Sequence, residues 1–161
     1  MAGKMNEPEI RRLVVEWHQR SRRERDPTSK FVFLWFCFNA WLAFESERDT
    51  DREMIDWLKG PDALKSRTRA SFVEATASST FQDHLNALAA LSPIEGSGRR
   101  RKTPVLIASG DDFGAVVEGI YRIRCNLFHG GTSLGDVRDQ KSVIVASRIL
   151  EKWVGNLVAG R

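Results

Sequence analysis

Between Arg122 and His129 the chain places two arginines, Arg122 and Arg124, an asparagine, Asn126, and a histidine at the end of an apolar-periodic stretch stopped by Gly130-Gly131. Histidine titrates near neutrality and can take or give a proton at physiological pH. Arginine stays charged and offers a fork of donors suited to phosphate oxygens, in the ground state and in a more highly charged transition state. Cleaving RNA without metal asks for little more: a base for the ribose 2′-hydroxyl, an acid for the leaving 5′-oxygen and a cation on the phosphate. One arginine and one histidine per chain are sparse for that work, so a two-fold dimer pooling two copies is a natural solution. A purely structural reading stands beside this one, since arginine and histidine near a helix C-terminus also satisfy carbonyls and complement the dipole.

The helix that must position these groups is capped by Asp111 or Asp112 and carries Val116, Ile120, Ile123 and Leu127 as one core stripe. At about 100° per residue, Arg122, Asn126 and His129 project from one face, to the side of that stripe. Arg124 falls about 140° from His129 on an ideal helix. It can approach the histidine only through its own length, or if the glycines unwind the last turn.

The rest of the chain is helical in pattern. Pro8 and Glu9 open a helix with Ile10, Leu13, Val14 and Trp17 on one face, which runs out between Arg20 and Asp26 and is ended by Pro27. Thr28 or Ser29 caps a second helix from about Lys30 to Glu45, apolar around nearly its whole circumference: a central core helix, or one shared across a dimer interface. A short helix follows over 49–59, then helical character over 62–91 with a break near Ser78-Ser79-Thr80, and a last helix over about 139–158. Residues 93–104 read as a loop whose Arg99, Arg100, Arg101 and Lys102 are either a solvated charge run or a nucleic-acid-facing patch. The expectation is all-α, one helical domain over 1–161.

A formal net charge of +4 permits a polyanionic partner without requiring one. Cys37 and Cys125 lie in apolar or helical segments without ligand spacing, and His18, His84 and His129 are scattered. Neither a zinc set nor a disulfide framework is expected, no cofactor is implied, and the setting reads as reducing and cytoplasmic. Met1–Glu7 lacks an apolar core of signal-peptide type, and the 14-residue apolar run Phe31–Phe44 is too short for a membrane span. Asn39 within the aromatic helix needs a hydrogen-bond partner, either in the core or on the motif helix. Tyr121, His18 and His84 read as packing or solvated residues.

The run Arg124-Cys125-Asn126-Leu127-Phe128-His129-Gly130 resembles the signature of the HEPN superfamily, an arginine followed after four to six residues by a histidine in a helical domain. Arg122 to His129 fits with six intervening residues, and the helix with Trp35, Phe36, Asn39 and Trp41 looks like the aromatic helix bearing a central asparagine in bacterial branches. The resemblance covers a core of about 28–158. One departure is Cys125, where the family often has a polar residue; Asn126 follows one position later. The resemblance implies a four- or five-helix bundle forming a two-fold homodimer with its motif helices face to face. It also implies either a metal-independent endoribonuclease of toxin–antitoxin or anti-phage systems, with an antitoxin or defence-system partner, or a non-catalytic RNA- or protein-binding module. Carried over by position, Arg124 holds the scissile phosphate, His129 is the general acid/base, Asn126 orients one of them, and Arg122 is the alternative to Arg124.

Overall fold

A computed structural model describes residues 4–96, 103–129 and 136–160. Among them the chain is all-α: α1 (Glu7–Arg23), α2 (Pro27–Ser46), α3 (Asp51–Lys59), a 3-10 turn (Pro61–Ala63), α4 (Arg67–Thr76), α5 (Ser79–Ala90), α6 (Phe113–Phe128) and α7 (Val137–Ala159). Among the described residues seven α-helices stand where the resemblance implies four or five, because the chain breaks at Gly60-Pro61 and again before Ser79. No helix among the described residues is long and apolar enough to cross a membrane.

Local chemistry sets most boundaries. The Asn6 side chain accepts from Glu9 N–H while the Glu9 carboxylate accepts from Asn6 N–H, a reciprocal cap that starts α1 one residue before Pro8. Pro27 belongs to α2 and does not end α1, which stops at Arg23. Asp26 is the cap of α2, accepting from Ser29 N–H, and Pro27 takes the first helical position, where its missing N–H is not needed. Thr50 and Glu53 form a second reciprocal cap on α3, and Ser78 caps α5, accepting from Phe81 N–H.

The chain divides into two compact units: Met1–Ala75 with Leu150–Arg161, and Thr76–Ile149. In the first, the buried face of α2 (Phe31, Leu34, Phe38, Leu42) accompanies Ile10 and Val14 of α1 and Ile55 and Leu58 of α3. Trp153 of α7 meets Phe38 and Phe72 edge-on at 4.8 Å each, and its indole N–H donates to Thr68 O at 2.8 Å. The Glu45 carboxylate of α2 accepts from Arg67 N–H, Thr68 N–H, the Thr68 hydroxyl and the Trp41 indole, capping α4 from outside its own helix. The second unit buries Phe81, Leu85 and Leu88 of α5, Val116, Val117, Ile120 and Ile123 of α6, and Val143 and Ile149 of α7.

Candidate functional site

The motif helix α6 lies in the second unit. Asp112 caps it, accepting from Ala115 N–H at 3.1 Å, and the expected core stripe is buried through Ile123, with Leu127 half-buried. The helix does not unwind ahead of His129: its backbone N–H still donates to Cys125 O at 3.0 Å, with φ −95° and ψ 12°. The ideal projection therefore holds, and Arg124 and His129 of one chain stay about 140° apart around α6.

His129 is exposed. Arg124 is half-buried, with its guanidinium carbon 4.8 Å from the centroid of the Phe128 ring, a cation–π contact between side chains four residues apart. Phe128 itself is 41% exposed. Arginine, aromatic ring and imidazole thus share the last turn and a half of α6. Phe128 is a residue that motif matching passed over, although its i, i+4 relation to Arg124 is a signal the sequence carries.

Arg122 and Asn126 are engaged in holding the segment between α5 and α6. Arg122 Nη2 donates to Thr103 O at 3.2 Å, and Nη1 is buried without an acceptor among the described residues. Asn126 Nδ2 donates to Glu95 O at 2.8 Å. Between these points Ile94 and Val105 exchange both backbone hydrogen bonds at 2.9 Å, forming an isolated antiparallel bridge. Ile94 and Ile107 are buried against α6 at Gly119: a Cβ there would sit 2.8 Å from Ile107 Cδ1 and 3.1 Å from Ile94 Cδ1. The missing side chain at Gly119 leaves room for these two methyl groups, which would have to shift if a Cβ were added.

Arg138 at the start of α7 completes the arrangement, its Nη2 donating to Leu91 O at 2.8 Å and Pro93 O at 3.3 Å. Sequence reasoning missed this residue, since its acceptors are backbone carbonyls, which leave no residue-type signature. Ile94, Glu95, Ile123, Asn126, Arg138 and Ser142 line a cleft of about 170 Å³. That is below the roughly 300 Å³ at which sites for drug-sized ligands begin.

Arg99, Arg100, Arg101 and Lys102 lie outside the described residues, as do Gly130 and Gly131. Asn39, in the first unit, is half-buried on α2. His18 is held below the usual histidine range by burial first and by Arg22 second, against an opposing effect of Glu151. Burial pushes the Cys37 thiol up to about 12 against a smaller opposing effect of a backbone hydrogen bond at Cys37, and the protonated Sγ donates to Val14 O at 3.5 Å. Among the described residues no three histidine, cysteine or carboxylate side chains come together in a way that could hold a metal ion.

Comparison with known proteins returned no matching family model, no matching curated protein and no matching solved structure.

Proposed function

We propose that this chain is a metal-independent endoribonuclease of HEPN type that works as a two-fold homodimer and acts as a toxin or anti-phage effector, held in check by a cognate partner protein. The observation that carries the proposal is the C-terminal turn of α6, where an exposed His129 follows a guanidinium held over the Phe128 ring. Because α6 is helical through Phe128 and the His129 N–H still donates to Cys125 O, one chain directs its arginine and its histidine apart. Two copies with their motif helices opposed would supply two cations and two imidazoles to one phosphate.

The chemistry then balances without a metal. One His129 takes the proton of the ribose 2′-hydroxyl, the 2′-oxygen attacks phosphorus, and the P–O5′ bond breaks. The other His129, protonated, gives its proton to the leaving 5′-oxygen, so the products carry a 2′,3′-cyclic phosphate and a free 5′-hydroxyl. Arg124 of each chain neutralises the non-bridging oxygens, whose charge grows in the transition state.

The test is cleavage of a labelled RNA in EDTA, with His129→Ala and Arg124→Ala each losing about 100-fold or more in rate, the scale of a general acid–base residue. Undiminished cleavage by both variants would refute the assignment. A second reading, a non-catalytic RNA- or protein-binding module, is favoured by the engagement of Arg122 and Asn126 with the carbonyls of Thr103 and Glu95. It predicts salt-dependent RNA affinity without turnover.

A further inference from the structure

The cleft beside α6 is too small for a drug-sized ligand, but its size and lining suit a smaller one. Its volume is about 170 Å³. An apolar cavity of about 150 Å³ takes a single benzene ring. One six-membered ring therefore fits here, and the second ring of a fused pair would be left outside. Ile123 of α6 and Val143 of α7, both buried, give the cleft apolar walls. Arg138 and Ser142 put polar atoms at its edge. Among the described residues Arg138 commits only Nη2 to the carbonyls of Leu91 and Pro93, so Nη1 and Nε remain as donors. The Ser142 hydroxyl donates to Arg138 O at 3.0 Å, which leaves its oxygen lone pairs to accept.

Charge narrows the ligand further. Glu95 and Asp139 also line the cleft, so two carboxylates stand against one guanidinium and an anionic ring is repelled. A neutral ring with apolar faces, and with both donors and acceptors on its edge, matches the lining. A pyrimidine base is such a ring. Position points the same way. Asn126, which lines the cleft, precedes His129 by three residues on one face of α6, about 4.5 Å along the axis and about 60° around it. A base held against Asn126 thus lies within one helical turn of the imidazole. We infer that the cleft receives one pyrimidine base of a single-stranded RNA and so selects the nucleotide presented to His129. The ribonuclease reading supplies the strand, while the fit of the ring does not depend on it. Bases of a duplex are paired and stacked, whereas those of a single strand can turn out and be read along their edges.

The test separates binding of the ring from cleavage. Uridine, cytidine and adenosine are titrated into the isotope-labelled full chain, into the millimolar range expected for ligands of this size, and backbone amide resonances are followed. Uridine or cytidine should shift the amides of Asn126, Ser142 and Val143, and adenosine should not. Ser142→Ala should weaken the binding about fivefold, the loss of one neutral hydrogen bond. Ser142→Leu, which fills the cleft, should abolish the shifts and leave the rest of the spectrum in place. Absence of shifts at these amides in the wild type would overturn the inference, as would adenosine binding as tightly as uridine or full uridine affinity in Ser142→Ala. On a mixed-sequence RNA, wild-type cuts should fall beside pyrimidines, and cuts spread evenly over purines would overturn the selecting role. Uridine bound in the cleft of a protein that leaves RNA intact would refute the ribonuclease reading and uphold the base pocket.

Discussion

Whether Arg122 and Asn126 are structural ties or groups free to serve chemistry depends on what holds the segment between α5 and α6 in place, and the structure gives opposing magnitudes. Ile107 is 3% exposed and Ile94 6% exposed, both seated on Gly119. Truncating such a residue removes transfer free energy and leaves a cavity, so Ile107→Ala should cost about 3 kcal/mol. The Asn126 bond to Glu95 O is solvent-exposed, and water can satisfy that carbonyl once the amide is gone. Asn126→Ala should therefore cost only about 0.5–1 kcal/mol. Gly119→Ala sits between: the helix gains about 1 kcal/mol from losing a glycine, against about 1–3 kcal/mol for overpacking at the 2.8 Å contact, a net loss of about 0–2 kcal/mol. Urea unfolding gives the three stabilities, and amide hydrogen exchange at Ile94 and Val105, whose N–H groups form the bridge, reports the segment itself. The order should be Ile107→Ala well above Gly119→Ala and Asn126→Ala. If Asn126→Ala proved the costliest, and released the Val105 amide to exchange while Ile107→Ala did not, the amide would be a structural anchor. Its place in the catalytic set would then be lost.

Two further predictions concern the first unit. Glu45→Ala removes the acceptor for four donors, two of them at the buried Thr68, and should cost about 2–4 kcal/mol, seen as a fall in Tm of roughly 5–15 °C. Glu45→Gln should recover part of this, and a Tm unchanged in both would show that α4 needs no such cap. Cys37 has its folded pKa raised from 9.0 to about 12, so its contribution is fully present below pH 9.0 and is lost as pH rises toward 12. Over that window the unfolded thiol ionises and the folded one does not, a loss of about 1.4 kcal/mol per pH unit. Between pH 9 and 10 the wild type should lose about 1 kcal/mol more stability than Cys37→Ala, and parallel pH profiles would contradict the burial argument.

The residue pattern carried much of this fold. The stripe Val116, Ile120 and Ile123, the Asp112 cap and the break near Ser78 are all present, because each is set by residues close in sequence. The boundary between α1 and α2 was harder to read: Pro27 suits the residue after one helix and the first residue of the next, and Asp26 decided it by capping α2. The all-round apolarity of α2 suggested a central core helix or one shared across a dimer interface, and within the first unit one side of it is buried while Phe36 stays 37% exposed. At the candidate site the residue types and their faces could be read from spacing alone. Their partners could not, because Thr103, Glu95, Leu91 and Pro93 all accept through backbone carbonyls, whatever their side chains.

The central claim is that two copies pool Arg124 and His129 into one RNA-cleaving site, and subunit mixing tests it most directly. Wild-type protein is unfolded and refolded together with inactive His129→Ala, and cleavage of a labelled RNA is followed in EDTA. If each dimer has one pooled cleft, only dimers of two wild-type chains cleave, and random pairing sets their number. An equal amount of the variant should cut the rate to about half, and a ninefold excess to about one tenth. A rate unchanged by the variant would place a complete site within each chain and contradict the pooled cleft, while wild-type protein that leaves RNA intact would contradict the ribonuclease reading itself.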